Sequence, residues 1–257
     1  MQYAIVSVAA ALTSGLTLFS GFGLGTILMP VFALFFPIDV AVAVTAIVHL
    51  LNNLFKLILL GKYANKGVVL KFGIPGILAA ALGAWVLVWF SNLEPLASYR
   101  IGETDCYITP VKIFISILMM IFASLEISPK LEDISFGNEL LPLGGFLSGF
   151  FGGISGHQGA LRSAFLLKCN LTKESFIATG VVIACIVDVS RITVYTSRFV
   201  LEFTEENVLL LLVAIVSAFL GVLIANRFVK KVTMRIVRVL VSVLLFGIAI
   251  GLGSGAI

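Results

Sequence analysis

The segment GGISGHQGALRS, residues 152–163, places a histidine, a glutamine, an arginine and two serines among four glycines, within otherwise apolar sequence. Glycines at this density interrupt a helix. A helix that restarts over about 157–168 presents N–H groups without partners and a partial positive charge at its first turn. These features favour anion binding. His157 and Gln158 can add hydrogen-bond donors there, and the guanidinium of Arg162 can bind two oxygens of an oxyanion at once.

The composition indicates that these polar residues belong to a membrane protein. Of the 257 residues, 60% are hydrophobic and 12% are charged, and the mean hydropathy is +1.15, whereas a soluble domain has roughly 25% charged residues. The net charge of +4 does not indicate nucleic-acid binding, because in a membrane protein the positions of lysine and arginine matter more than their sum. The three cysteines form no CxxC motif, and we expect no disulfide framework, metal site or cofactor.

Apolar stretches predict the helices that position these residues. A helix needs about 20 apolar residues to cross about 30 Å of hydrocarbon, and six stretches reach or approach this length: about 38–60, 68–90, 110–126, 174–196, 207–226 and 236–254. Two others, about 3–36 and 140–168, are interrupted by glycines, at Ser20–Gly25 and at Gly152–Gly159. Neither half of these two is comfortably long enough to span, so we interpret each as a re-entrant helical hairpin, with a kinked crossing as the alternative.

The two halves of the chain resemble each other at a nearly constant spacing. The matching pairs are Gly15 and Gly149, Gly25 and Gly159, Thr45 and Thr179 and, with one inserted residue, Asn53 and Asp188, and Lys56 and Arg191. The sequence therefore predicts two repeats, residues 1–126 and 140–257, joined by a polar linker over 127–139. Each repeat would contain one hairpin and three spanning helices.

The charges of the loops predict that the second repeat is inverted. The loop after the first spanning helix is basic in the first repeat and mostly acidic in the second, whereas the next loop is mixed in the first repeat, at about 91–109, and basic in the second. The residues are Lys62, Lys66 and Lys71, then Arg198, Glu202, Glu205 and Glu206, and finally Arg227, Lys230, Lys231, Arg235 and Arg238. Because basic loops lie on the cytoplasmic side, equivalent loops lie on opposite sides. This favours hairpins that return to the side they entered, with both termini outside.

We therefore predict an all-α polytopic membrane protein with two inverted repeats, each a glycine-broken re-entrant helical hairpin plus three transmembrane helices. The first repeat also offers a helix N-terminus in the membrane, at Gly25 and Thr26. It would meet the one at Gly156 and His157 near the membrane midplane, from the opposite side. Transporters built from inverted repeats bind their substrates at this place.

Four ionisable residues at membrane depth are candidates for substrate charge or ion coupling: His49, Lys56, Asp188 and Arg191. A charged side chain at a helix centre costs roughly 2.5–3.5 kcal/mol if it stays unpaired, so each needs a partner or a function. Two structural alternatives remain open. Asp188 and Arg191 can neutralise each other three residues apart on one helix, and Lys56 can extend to the nearby membrane surface.

Neutral donors accompany these charges. Asn52 and Asn53 follow His49 on one helix, and Ser163 follows Arg162. We expect them to bind substrate, the alternative being hydrogen bonds between helices, worth about 0.6 kcal/mol on average. A coupled proton could reside on His49, His157 or Asp188, because histidine titrates near neutral pH.

One short motif suggests an enzyme. Gly153-Ile154-Ser155-Gly156 matches the GxSG pattern of intramembrane serine proteases of the rhomboid type. That chemistry needs a histidine base within hydrogen-bond reach of the serine, and rhomboids supply it from a later helix. No histidine follows His157 in this chain, so we expect no protease and no other enzyme.

Three segments carry a resemblance to a known family: SGFGLGTILMP (Ser20–Pro30), AVAVTAIVHLLNN (Ala41–Asn53) and LSGFFGGISGHQGALRSAFLL (Leu147–Leu167). In their order and spacing, the chain resembles the TauE/SafE family of membrane transporters over nearly its whole length. It departs from the family pattern in two places. A run of three glycines is replaced by FGLG and by GHQG, and Ala164 stands where the first copy has its proline.

The resemblance implies a secondary transporter that exports sulfite or a short sulfonate such as sulfoacetate. Its partners would be the small anion, the lipid bilayer of a bacterial or archaeal cytoplasmic membrane and, for coupling, protons, with no nucleic acid. An anion channel of the same fold is the alternative, and an intramembrane protease is the remote one. The exact substrate, the coupling ion, the direction of transport and the oligomeric state stay open.

Overall fold

The structure is a computed structural model that describes residues 1–20, 24–128, 136–199, 205–228 and 234–257. Within these ranges the chain is almost entirely helical. The helices of the first half are α1 (Gln2–Ser20), α2 (Leu24–Ala33), α3 (Ile38–Leu60), α4 (Lys66–Ser91) and α5 (Pro110–Ile127). Those of the second half are α6 (Leu141–Ser155), α7 (Gly159–Leu166), α8 (Lys173–Phe199), α9 (Glu205–Phe228) and α10 (Met234–Ser254). Short 3-10 turns lie at Gly61–Tyr63 and Asn138–Leu140.

Side chains that cap the first turn explain where helices α4 and α5 begin. The Asn65 side chain accepts a hydrogen bond from the Val68 N–H at the start of α4, and Thr109 accepts from Lys112 at the start of α5. Both are N-caps, which satisfy N–H groups that the first turn leaves without partners. Pro110 follows Thr109 at the first helical position, where the N–H that proline lacks would have no partner within the helix.

The helices have the length and surface of membrane spans. Within the described residues, five helical segments are long and apolar enough to cross a bilayer: Ile38–Tyr63, Lys66–Ser91, Pro110–Ile127, Lys173–Thr196 and Asn207–Ala225. Large apolar side chains face outward, among them Ile58 (83% exposed) and Leu78 (70% exposed). Several charged and amide side chains are buried instead, among them Asn52, Asp188 and Arg191. The prediction of an all-α membrane protein is confirmed at this level.

A small β-hairpin lies within the segment 91–109, for which the sequence predicts a loop of mixed charge. Strands β1 (Ala97–Ile101) and β2 (Thr104–Ile108) pair antiparallel. Gly102 adopts a φ of 60° at the turn, a conformation that two-residue hairpin turns require. The Tyr99 hydroxyl donates to the Ser254 carbonyl, which ties the hairpin to the end of α10.

Glycines bring two pairs of helices into backbone contact. Helix α6 packs along α4, and α1 packs along α9. A Cβ added at Gly145 would lie 2.0 Å from the Phe72 carbonyl oxygen, and one at Gly221 would lie 2.1 Å from that of Ala11. Small residues at such contacts allow close helix approach in membranes. Helix α5 packs against α10, and α3 against α8.

Candidate functional site

The break between α6 and α7 differs in its details from the sequence prediction. Gly156 ends α6 in the left-handed region, with a φ of 79°, and its N–H donates to the Gly152 carbonyl. The following two residues complete the turn, so α7 begins at Gly159 with Gln158 as its N-cap and ends at Leu166. The prediction of a helix over about 157–168 that begins at His157 was therefore wrong by about two residues at each end.

The two glycine breaks meet. A Cβ built at Gly25 would lie 2.9 Å from the carbonyl oxygen of Gly156, so the first turn of α2 touches the break between α6 and α7. Thr26 is buried in that turn. Helix α2 ends at Ala33, whereas the apolar stretch that predicted it continues to about residue 36. Residues 21–23 of the first glycine break lie outside the described residues.

Asp188 of α8 is the centre of a buried hydrogen-bond network beside this contact. Its Oδ2 lies 2.6 Å from His49 Nδ1 of α3. Its Oδ1 accepts from Gln158 Nε2 at 3.0 Å and from Arg191 Nε and NH2 at 3.0 and 2.7 Å. Asp188 and Arg191 are fully buried. The predicted pairing of these two residues is confirmed, but two other helices also contribute donors to the carboxylate.

The network extends in two directions through neutral amides. Gln158 Oε1 accepts from Arg162 NH1 at 3.2 Å, so one amide joins the guanidinium of Arg162 to the carboxylate of Asp188. Asn53 Nδ2 lies 3.2 Å from His49 Nε2 and can donate to it. We call these residues the Asp188 network: His49, Asn53, Gln158, Arg162, Asp188 and Arg191. The structure brings all six together from α3, α8 and the start of α7.

Hydrogen bonds from Tyr195, Ser148 and Arg191 hold the end of α6 against this network, and Tyr195 and Ser148 were not among the residues predicted from the sequence. The Tyr195 hydroxyl donates to the Gly153 carbonyl, Arg191 NH1 donates to that of Gly152 at 3.0 Å, and Ser148 Oγ donates to that of Gln158 at 2.9 Å. A usable signal existed for Tyr195, because it lies one turn after Arg191 on the same face of α8. Ser148 resembled one more small residue of a membrane helix.

Asn52 and Lys56 of α3 form hydrogen bonds with α1. The Ser14 hydroxyl donates to Asn52 Oδ1 at 2.6 Å, and Lys56 Nζ donates to Thr17 Oγ1 at 2.8 Å. Lys56 is only 2% exposed. The alternative in which this lysine extends to the membrane surface is therefore wrong, because its ammonium ends inside the helix bundle.

His157 stacks on Phe122 of α5, with ring centroids 5.0 Å apart. Its Nδ1 lies 3.1 Å from Ser155 Oγ, and that hydroxyl donates to the Phe151 carbonyl at 3.0 Å. A carbonyl oxygen only accepts, so the serine proton lies on that bond and His157 Nδ1 acts as the donor. Nε2 is then the basic nitrogen, and among the described residues it is buried without a hydrogen-bond partner.

Ser155 is therefore not an activated nucleophile, although the structure places it beside a histidine. We expect a fluorophosphonate probe to leave the purified protein unlabelled, because the histidine donates to the serine instead of removing its proton. Gel fluorescence after incubation measures this, with a known serine hydrolase as the positive control. Labelling of the wild type that disappears in Ser155→Ala would contradict the assignment.

Two residues of the predicted site, Ser163 and Thr26, are not members of the Asp188 network. Ser163 is half-buried on α7, one position after Arg162, and Thr26 belongs to α2. In the part of the chain that the structure describes, no three histidine, cysteine, aspartate or glutamate side chains group in a way that could hold a metal ion.

Apolar helices around buried charged and amide side chains define a multi-pass membrane protein with a polar interior, the architecture of transporters and channels. Residues 3–252 match the family described as Sulfite exporter TauE/SafE. The match covers nearly the whole chain, so the protein belongs to this family, and the resemblance found in the sequence is confirmed. Members of the family are membrane transporters of sulfur anions and not enzymes. No curated protein and no solved structure matches the chain significantly.

Proposed function

We propose that the protein is a secondary transporter that exports a small sulfur-containing oxyanion, sulfite or a short organosulfonate, across a bacterial or archaeal cytoplasmic membrane. The observation that carries the proposal is the meeting of the two glycine breaks at Gly25 and Gly156, beside a buried network that contains Arg162. In transporters with broken helices, the ends of the half-helices near the membrane midplane carry partial charges that bind the substrate. The family supplies the substrate class.

The substrate would lie between the two breaks and the Asp188 network. Arg162 would provide charge, and the remaining donors would come from backbone N–H groups and from amide, imidazole and hydroxyl groups. The proposed binding residues are Gly25, Thr26, Asn52, Asn53, Gly156, His157, Gln158, Arg162 and Ser163. The connection from Arg162 through Gln158 to Asp188 supports the proposal, because it holds the guanidinium in one orientation before substrate arrives.

Proton coupling would use the two buried histidines. His157 can accept a proton at Nε2 without losing its hydrogen bond to Ser155, because that bond uses Nδ1. His49 Nδ1 contacts Asp188. The gain or loss of a proton at His49 would therefore change that contact. Lys56, Asp188 and Arg191 would set the charge around them.

Alternating access would move one repeat against the other. The packing supports two equivalent repeats: α6 packs along α4, and α1, the equivalent of α6 in the first repeat, packs along α9, the equivalent of α4 in the second. Helix α3 packs against α8, its equivalent in the other repeat, and α5 packs against α10 in the same way. Each first arm of a hairpin therefore packs along a helix of the other half, and the two halves would rock about the central pairs.

Arg162→Ala is expected to weaken oxyanion binding roughly 10- to 100-fold, because a charge-assisted hydrogen bond contributes about 1.5–3 kcal/mol. The measurement is the melting temperature of purified protein with sulfite, thiosulfate, sulfate, sulfoacetate, taurine, acetate or chloride. A ligand at about 100 times its Kd stabilises the protein by about 2.7 kcal/mol. The control is Arg100→Ala, since Arg100 is exposed on the β-hairpin.

Two results would contradict the proposal. If no sulfur oxyanion raises the melting temperature of the wild type, the sulfur-anion function fails. If Arg162→Ala retains both the shift and wild-type anion efflux from vesicles, the charge assignment to Arg162 fails. Efflux that follows the anion gradient as a current, with no dependence on a second ion, would identify a channel.

A further inference from the structure

His157 lies at the break between α6 and α7 with one buried ring nitrogen that is not satisfied. The residue is only 2% exposed, and within the described ranges its Nε2 has no hydrogen-bond partner. The ring is held on two sides, because it stacks on Phe122 with an interplanar angle of 8° and its Nδ1 donates to Ser155. Nε2 is therefore fixed in orientation, in the residue that follows Gly156 and its contact with Gly25.

The neutral ring of His157 accepts at Nε2 and cannot donate there. Its single proton lies on Nδ1, since the Ser155 hydroxyl already donates to the Phe151 carbonyl. Buried polar atoms are normally satisfied, so Nε2 requires a donor. A fully ionised sulfur oxyanion has only acceptor oxygens, and two acceptors form no hydrogen bond with each other. The imidazole can therefore bind such an anion only after Nε2 has gained a proton.

A proton on Nε2 without the anion would also be unfavourable. A Cβ built at Gly156 would lie 3.3 Å from Arg191 NH1, so a fully buried guanidinium lies beside the residue that precedes His157. An imidazolium would add a second positive charge where water is excluded, and like charges repel strongly there. A buried ion is costly unless an opposite charge accompanies it. An anion that arrives with the proton supplies that charge.

The neighbouring helices leave the counter-charge of a protonated His157 to the anion. Within the described ranges no group lies within hydrogen-bond distance of Nε2, and the carboxylate of Asp188 already binds Arg191 through two hydrogen bonds. Helices α2 and α6 have no titratable residue. The titratable side chains near the break are His49 of α3, Glu126 of α5, one turn beyond Phe122, Arg162 of α7, and Asp188, Arg191 and Tyr195 of α8.

We propose that the anion and one proton bind together at His157. Nε2 takes up a proton from water, and the N–H bond that forms donates to an oxygen of the bound anion. When the anion leaves, that N–H bond breaks and the proton returns to water on the same side of the membrane. This inference rests on the proposed function and adds the type of coupling, because the proton and the anion cross in the same direction. A singly charged anion then crosses without net movement of charge.

The first experiment counts the protons that are taken up when the anion binds. The probe is methanesulfonate, which stays fully ionised near neutral pH, and titration calorimetry follows its binding to the purified full-length protein. Titrations in buffers with different heats of ionisation give the proton count. We expect about one proton per anion, and an affinity that falls about tenfold for each unit of pH from about 6 to about 8, because the binding of proton and anion is linked reciprocally.

His157→Gln should remove this dependence on pH. The glutamine amide has N–H groups that donate at every pH, so anion binding needs no proton. We expect proton uptake close to zero and an affinity that changes less than about twofold over the same range of pH. The matched control is Lys62→Gln, which places the same amide at an exposed titratable residue and should keep the wild-type proton count.

A spectroscopic measurement on the wild type locates the proton. The chain has two histidines, so ¹⁵N labelling of histidine gives the NMR signals of two imidazoles. Phe122→Leu removes the ring that stacks on His157, and the imidazole whose signals move in this variant is His157. In the free wild type at about pH 8 we expect a proton on Nδ1 alone, and excess methanesulfonate should add one at Nε2.

The outcomes separate this inference from the proposed function. If methanesulfonate binds without proton uptake, another donor such as water serves Nε2, and joint binding is refuted while sulfur-anion binding stands. Proton uptake that persists in His157→Gln, or a His157 signal that methanesulfonate leaves unchanged, places the proton on another group and refutes the assignment. If neither methanesulfonate nor sulfite binds at any pH, the proposed function itself fails. The NMR comparison decides the question even if His157→Gln does not fold.

Discussion

Asp188→Asn is expected to lower the free energy of unfolding by about 3–5 kcal/mol, the range measured when one partner of a buried ion pair is removed. The carboxylate accepts hydrogen bonds from Gln158 and Arg191 and contacts His49, and both charged partners of the pair are fully buried. Asparagine keeps the shape but leaves the Arg191 guanidinium without its counter-charge. The change is measured by reversible unfolding in mixed detergent micelles, alongside the wild type.

A double variant distinguishes charge from packing. Asp188→Asn combined with Arg191→Met removes both charges, and we expect it to recover part of the loss, because replacing a whole buried pair is often tolerated. The control is Asp105→Asn, which breaks the exposed Arg100–Asp105 pair of the β-hairpin and should cost less than about 1 kcal/mol. Equal stability of Asp188→Asn and Asp105→Asn would mean that the Asp188 network does not form as described.

Gly145→Ala is expected to cost about 3 kcal/mol, the upper end of the range for overpacked cores. A Cβ at this position would lie 2.0 Å from the Phe72 carbonyl oxygen and 2.9 Å from its carbon, so the obstructing atoms are backbone and cannot rotate away. Helices α4 and α6 would have to separate along their contact. The same unfolding experiment measures the effect.

The control for this prediction is Gly247→Ala on α10, where an added Cβ meets nothing within 4 Å. Alanine is favoured over glycine inside a helix by up to about 1 kcal/mol, so this variant should be as stable as the wild type or slightly more so. If both alanine variants behave alike, close contact between α4 and α6 is not what requires glycine at position 145. Gly145 lies near the start of α6, away from the break, so anion binding by any folded Gly145→Ala protein should be unchanged.

The sequence by itself determined the features that depend on neighbours along the chain. Long apolar stretches predict membrane helices, because a segment that crosses lipid must satisfy its own backbone N–H and C=O groups, and a helix does so. The pairing of Asp188 with Arg191 was predictable because residues three apart share one helix face. The break near Gly156 was predictable because glycine adopts a positive φ at no steric cost, although the two-residue turn that delays α7 to Gly159 was not.

Only the tertiary structure decided which side chains from different helices meet. His49 and Asp188 are 139 residues apart, and their contact depends on how α3 and α8 are rotated about their own axes. Apolar stretches that are hydrophobic all round do not specify that rotation. The direction of Lys56 toward Thr17, and away from the membrane surface, has the same origin. Backbone contacts such as that between Gly145 and Phe72 set the rotation of each helix, because there the helices fit together in one register and leave no space for another.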